Sequence, residues 1–353
     1  MNTNFQQIIP LFSSDDAAAV RSNLELAKTQ YAAEFSAHFG CEAADYLEMF
    51  DFLQKYQLWK PYPLVNALYS LDLSDKDIKV LPAAIKILKK LQKLNINGNQ
   101  LQTLPPEIGE LDNLYYLYCS RNPLSVLPPE IGKLQKLEHL YLNINQLETL
   151  PAEIGNLANL QELGVSQNKI KRLPPEIGKL AKLKIITLNG NQLRELPAEI
   201  GSLKNLKELV LFNNQLVSLP QTVGKLQKLN YLQLEHNQLS ELPATIGGLK
   251  NMKRLFFGYN KIKNIPLEIN QLAKLDTFWV DNNELTEFPA GLSLLPKLKT
   301  LHVESNQISQ FPAELSNCPM LETVYCWGNP AALKNAIPTS LEAKKILTFQ
   351  KRD

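Results

Sequence analysis

Residues 91–111 read Leu-Gln-Lys-Leu-Asn-Ile-Asn-Gly-Asn-Gln-Leu-Gln-Thr-Leu-Pro-Pro-Glu-Ile-Gly-Glu-Leu, and the pattern LxxLxLxxNxLxxLPxxIGxLxxL that they set returns without insertion. Its asparagine recurs every 23 residues, at Asn99, Asn122, Asn145, Asn168, Asn191, Asn214, Asn237, Asn260, Asn283, Asn306 and Asn329. Lys76 holds the same slot in a degenerate first copy, which makes twelve repeats over roughly residues 68–331. A fixed period in the twenties, with each copy too small to bury its own apolar face, predicts a solenoid of stacked coils.

Within a copy, the fourth and sixth positions (Leu94 and Ile96, Leu117 and Cys119, Phe278 and Val280, Val324 and Cys326) are apolar and alternate with variable residues. That period of two predicts a short strand with one buried face. Stacked at ~4.8 Å, the strands would form a parallel sheet roughly 50 Å long. The asparagine then turns inward, where an unpaired amide would cost ~1–3 kcal/mol, so each is expected to bond backbone groups of its own and the adjacent coil. A proline at 82, 105, 128 and each equivalent place up to 312 cannot donate to a ladder, so there the strand has ended and the return begins. Gly109, Gly132, Gly155, Gly178, Gly201, Gly224 and Gly247 suit a left-handed or tight backbone on that return.

These residues resemble the leucine-rich-repeat family, in its 23-residue Pro-x-x-Ile-Gly subclass of bacterial and intracellular, Ras-group-like proteins. The resemblance implies an α/β solenoid: a βα or β-3₁₀ horseshoe with a concave parallel sheet, an asparagine ladder, and binding rather than catalysis. Three regions are expected: a helical N-terminal cap or module over 1–66, the repeats over 67–331, and a C-terminal cap helix over 332–353.

In the leader, Ser13-Ser14-Asp15-Asp16 starts a helix that runs through Val20, Leu24, Ala27, Tyr31, Phe35 and Phe39 to Gly40. A second uses Leu47, Phe50, Leu53 and Tyr56 before Pro61 and Pro63. These helices would cover the open edge of the first coil. At the other end, Pro330 and Lys334 break the register, and Thr339-Ser340-Leu341-Glu342 is a capping box opening a helix through Leu347 and Phe349. On the return side, lysines at 133, 136, 179, 182, 225 and 228 alternate with asparagines at 156, 159 and 205, read as a solvated face.

Lys+Arg 37 against Asp+Glu 35 gives no field that calls for nucleic acid or an anionic membrane. The N-terminus lacks a signal-peptide pattern and no apolar run approaches a membrane span, so a cytoplasmic protein is expected, export without a cleavable signal being the alternative. Four cysteines, with Cys318 and Cys326 one coil apart, are read as reduced and apolar in role. There is no phosphate loop, HExxH or CxxC, and the four histidines are scattered. An enzyme is not expected, nor a cofactor or metal.

The core does not dictate the outward strand positions, so they carry the functional signal. The fifth-position series ends in Phe256, Trp279, His302 and Tyr325 on adjacent coils, with Phe212, Tyr231, Arg254, Tyr259 and Trp327 nearby. Tyr116, Tyr118, His139 and Tyr141 form a secondary cluster, and Gly164 and Gly190 leave a bare saddle between the two. An exposed aromatic patch marks an interface, although aromatic pairs also stabilise a sheet by ~0.2–1 kcal/mol each. Asp72, Asp75, Glu162, Glu208, Glu235, Asp281 and Glu304 stand against Lys93, Arg121 and Arg254 on the outward positions, seven acids to three bases, or −4. The expected partner is therefore a protein or peptide with basic and apolar contacts, centred on Phe256, Trp279 and Tyr325, with its cations on Glu235, Asp281 and Glu304. A carbohydrate groove and a self-associating scaffold are the alternatives. A monomer is slightly favoured.

Overall fold

Each 23-residue copy folds into one coil: a three-residue strand, a left-handed turn, the asparagine, an extended run, and a 3₁₀ turn that starts just past the proline. This is seen in a computed structural model that describes residues 3–59, 68–288, 290–331, 333, 337–342 and 346–349. The chain forms two units, Met1–Gln146 and Leu147–Asp353. Pro61, Pro63, Pro289 and Lys334, and the 66/67 boundary, lie outside the described residues.

The first unit contains α1 (Thr3–Ile8), α2 (Ala17–Gln30), α3 (Ala32–Phe39) and α4 (Ala43–Lys55), then β1 (Ser70–Asp72), β2 (Lys93–Asn95), β3 (Tyr116–Tyr118) and β4 (His139–Tyr141). Asp16 caps α2, its Oδ1 accepting from the amides of Ala18 at 2.9 Å and Ala19 at 3.3 Å. The helix expected to run on to Gly40 breaks at Tyr31, whose φ of −133° is not helical, and restarts as α3. Gly40 closes α3 at φ 70°, and α1 was not expected. Buried Phe12 packs edge-on against Phe35 and Phe39 at 5.3 and 5.5 Å. α4 lies against the 3₁₀ turn of the first coil, where Lys86 replaces glycine and pairs with Asp45 at 3.0 Å.

The second unit holds β5 (Glu162–Gly164), β6 (Ile185–Thr187), β7 (Glu208–Val210), β8 (Tyr231–Gln233), β9 (Arg254–Phe256), β10 (Thr277–Trp279), β11 (Thr300–His302), β12 (Thr323–Tyr325), a one-turn helix α5 (Thr339–Glu342) and β13 (Leu347–Thr348). In each unit the strands pair in parallel, in chain order and in register, so each residue faces its equivalent 23 places on (Trp279 faces His302). The terminal helix is one turn long rather than running through Phe349. Leu347 and Thr348 instead add β13 to β12, Val324 N donating to Ile346 O at 2.8 Å. A strand is the direct way to satisfy an open parallel edge, because it fills the unpaired backbone groups a helix only covers.

From Asn99 to Asn306 the asparagines are buried as expected, Asn329 less so, and their amides join neighbouring coils. Asn99 Oδ1 accepts from the amides of Lys76 at 3.1 Å and Ile78 at 3.0 Å, while its Nδ2 donates to Leu73 O at 2.8 Å and Ile96 O at 3.0 Å. The coil interior is otherwise mostly leucine and isoleucine, with valine, phenylalanine, methionine and cysteine at single places, all with little exposure. Each such side chain contributes about 1.5–3 kcal/mol on burial.

The return glycines are required for a different reason from a left-handed φ. A Cβ on Gly109, Gly178 or Gly201 would lie 2.4–2.6 Å from a backbone carbonyl of the next coil. The left-handed position is the residue just before each asparagine: Gly98, Arg121, Ile144, Gln167, Gly190, Asn213, His236, Tyr259, Asn282, Ser305 and Gly328, all at φ 49–74°. Ile144, β-branched and at φ 57°, is the least suited of these. Ile144→Asn is expected to raise stability by about 1 kcal/mol, seen as a higher urea midpoint at unchanged slope. A lower midpoint would show that the half-exposed isoleucine contributes more by packing than it loses by strain.

The lysine–asparagine alternation on the return side also has a structural cause. Lys136, Lys182 and Lys228 each donate to the asparagine of the preceding coil (Asn113, Asn159, Asn205) at 2.6–2.7 Å, tying coils together in pairs.

Candidate functional site

On the strand face, the seventh position of each coil decides whether the ladder satisfies itself. In the first unit it does: Asn97 Oδ1 accepts from the Ser120 amide at 2.7 Å, and Ser120 Oγ accepts from the Asn143 amide at 3.1 Å. In the second unit the series begins alike, with Ser166 Oγ donating to Asn189 Oδ1. It then changes to Phe212, Glu235, Gly258, Asp281, Glu304 and Trp327. Here one oxygen each of Glu235 and Glu304 is shielded from solvent and has no hydrogen-bond partner. The Trp279 indole N–H is in the same condition.

The polar contacts that do exist come from the chain's own neighbours. Gln233 Nε2 donates to Glu235 Oε1 at 3.2 Å, Asn282 Nδ2 to Asp281 Oδ2 at 2.8 Å, and His302 Nδ1 lies 2.7 Å from Glu304 Oε1. Burial, with a smaller contribution from the nearby Asp281 charge, pushes the Glu235 carboxyl above its ordinary value. Its contribution to folding is therefore greatest while it is protonated, and is lost as pH rises through the raised value. A hollow of ≈ 340 Å³ opens here, lined by Phe212, Asn213, Gln233, Glu235, His236, Tyr259, Trp279 and Asp281.

The aromatic residues of the second unit form a packed row rather than an open patch. Arg254 lies over the Tyr231 ring at 4.5 Å, and Tyr231 meets Phe256 at 5.4 Å. Phe256 meets Trp279 edge-on at 5.0 Å, followed by His302 at 4.4 Å and Tyr325 at 4.3 Å. Phe256, expected at the centre of an exposed patch, is 7 % exposed because Tyr231 and Trp279 close over it. Glu304 is 6 % exposed. Tyr259, by contrast, is half exposed and stacks on His236 at 4.2 Å. The structure thus gathers Phe212, Glu235, Tyr259, Trp279 and Asp281 at the hollow, and runs Tyr231, Arg254, Phe256, His302 and Tyr325 along the row. Glu304 and Trp327 follow Asp281 in the seventh-position series.

In the first unit, Tyr116, Tyr118, His139 and Tyr141 form a two-by-two stack. Tyr116 pairs with His139 at 4.8 Å and Tyr118 with Tyr141 at 5.3 Å, and Lys93 lies over Tyr118. Sequence reasoning missed Gln233, His236, Asn213 and Gly258. His236 and Asn213 sit in the left-handed slot, where the side chain projects beside the strand face, and Gly258 stands out only once the seventh positions are compared with one another.

Among the described residues no three or more His, Cys, Asp or Glu are placed to hold a metal ion, and no helix is long and apolar enough to cross a membrane. Cys318 and Cys326 are buried, and each thiol lies against a different carbonyl, Leu292 O and Thr348 O.

A family model described as a leucine-rich repeat region matches residues 47–145 and 140–217, and a second, leucine rich repeat, matches 204–262. No curated protein matches the sequence. Among solved structures, the chain is similar to the plant peptide hormone receptor RGFR1 in complex with RGF2, at 30 % identity and TM-score 0.71. That match covers 80 % of this chain and 47 % of the receptor chain, so the chain spans about half of that relative's length. An LRR protein of Leptospira interrogans is 33 % identical, with 85 % of this chain and 86 % of that one covered and TM-score 0.54. An internalin of Listeria monocytogenes shares the fold at 22 % identity and TM-score 0.71, over 88 % of this chain and 96 % of its own. The repeat register, the family models and the identity to the Leptospira protein over most of its length together establish that this chain belongs to the leucine-rich-repeat family.

Proposed function

We propose that the chain is a non-enzymatic binding module that takes a peptide or an extended protein segment on the strand face of its second unit. One observation carries this reading. From Glu235 onward the seventh-position side chains stop satisfying each other and leave carboxylate oxygens without a donor, beside exposed and half-exposed aromatic rings. A purely structural ladder has no use for this, since Asn97, Ser120 and Asn143 close the same positions at no electrostatic cost. The similar plant receptor was solved with RGF2 bound, which supports binding as the general use of the fold. The negative strand face disfavours nucleic acid and favours basic segments. The 23-residue Pro-x-x-Ile-Gly coil fits the intracellular subclass and, with it, a cytoplasmic compartment.

The test is to pan a random-peptide phage library against the full chain and titrate the enriched peptides into wild type, Tyr259→Ala and Trp279→Ala. Trp279→Ala is expected to weaken binding by roughly 30-fold or more, as for a buried aromatic anchor. Tyr259→Ala, on a half-exposed ring outside the packed row, should weaken it less and leave the thermal midpoint unchanged. Absence of enriched peptides, or equal affinity for all three proteins, would refute the reading.

A further inference from the structure

Gly258 is the only glycine in the seventh-position series, and it stands between two acids. Glu235 precedes it by one coil and Asp281 follows by one, so their strands lie roughly 10 Å apart across it. A Cβ at residue 258 would sit 2.7 Å from Asp281 Oδ1 and 3.0 Å from Oδ2. The missing side chain is thus what lets the Asp281 carboxylate lie over the chain at Gly258, on the side of the coil that carries Glu235. Among the described residues, no lysine, arginine or histidine pairs with Glu235 or Asp281, whose side-chain hydrogen bonds come from the neutral amides of Gln233 and Asn282. Trp279 and Tyr259 supply aromatic walls. At ≈ 340 Å³ the hollow is at the small end of ligand cavities (about 300–1,000 Å³), a size for one side chain.

We propose that this hollow seats one arginine side chain of the bound peptide, its guanidinium lying between the carboxylates of Glu235 and Asp281 and against the ring of Trp279. The proposal rests on the peptide-binding reading above and adds the residue that confers specificity. Arginine fits better than lysine because its planar fork has donors on both edges and stacks on an aromatic face, whereas an ammonium is a compact, strongly hydrated point charge. Two acids brought together in a partly buried site repel one another, and a cation between them removes both that repulsion and the unpaired oxygen of Glu235.

Peptides enriched by panning on the full chain are expected to share one fixed arginine. Replacing that arginine by citrulline, its neutral isostere, is expected to weaken binding to wild type at least tenfold. Binding to Glu235→Gln/Asp281→Asn should already be weak and should respond to citrulline by less than a factor of about two. Enriched peptides with no fixed arginine, with lysine in its place, or with affinity unchanged by citrulline would overturn the arginine seat while leaving peptide binding intact. No enrichment at all would overturn both. The citrulline comparison uses wild-type protein alone, so it decides the matter even if the double variant folds poorly.

Discussion

Asn214→Ala is expected to destabilise the second unit by about 3 kcal/mol, more than removal of any exposed side chain on the same coil. The side chain is 8 % exposed and serves four backbone groups at once. Its Oδ1 accepts from the Leu193 amide at 3.0 Å, and its Nδ2 donates to Leu188 O and Leu211 O, both at 3.0 Å, and to Phe212 O at 3.4 Å. Among the described residues the Leu193 amide has no other acceptor, so alanine leaves a buried N–H unpaired at a cost of about 1–3 kcal/mol, with weaker losses at the carbonyls. Leu211 O is partly protected because Asn237 Nδ2 also donates to it at 3.1 Å. Urea unfolding followed by far-ultraviolet circular dichroism measures the effect, and a loss under 1 kcal/mol would mean that the ladder is dispensable. Asn214→Asp should be worse than alanine. The carboxylate keeps the bond from Leu193 but turns an anion onto three carbonyl oxygens, those of Leu188, Leu211 and Phe212. At the last coil, Asn329 makes the same kinds of bond but is less buried, so its loss is expected to cost less.

Those asparagines are legible in the sequence because eleven coils solve the same problem with the same residue, and only the first has a lysine, Lys76, in the slot. The alternating strand positions, the prolines and the parallel register followed for the same reason: a repeated chemistry leaves a repeated letter. What escaped were positions where one backbone requirement is met by many residue types. The left-handed slot holds Gly98, Arg121, Ile144, Gln167, His236 and Tyr259, among others, so no letter marks it; three glycines and two asparagines in the column were the available signal. The break at Tyr31 was hidden because the apolar spacing runs straight through it. The sequence reads Leu347 and Thr348 as helix because a helix does start at Thr339, while the unfilled edge of β12 is visible only in three dimensions. The candidate site was half legible. Register alone places Glu235, Trp279 and Asp281 on the strand face, but the burial of Phe256 depends on the rings of Tyr231 and Trp279 beside it. The significance of Gly258 depends on which seventh positions pair with each other.

Gly224→Ala is expected to cost about 2 kcal/mol, the larger for being a change of a single methyl group. A Cβ there would lie 2.1 Å from Thr245 O and 2.9 Å from both Thr245 C and Cβ. The obstacle is backbone, so no side-chain rotation relieves it, and the 3₁₀ turns of coils 7 and 8, which hold Gly224 and Thr245, must separate. Alanine also narrows the unfolded ensemble, which returns roughly 0.4–1 kcal/mol and keeps the net loss from being larger. A fall in thermal midpoint of about 4–8 °C is the expected reading for a unit of this size. Coils 9 to 11 supply the internal comparison, since Asn270, Ser293 and Ser316 occupy the same slot. Reversing one of them, as Ser293→Gly, should bring little gain, because those turns have already settled at a spacing that accepts a Cβ. If Gly224→Ala proved neutral, the turns of the regular coils would have equal slack. Their glycines would then reflect the history of the repeat rather than the packing distance between its coils.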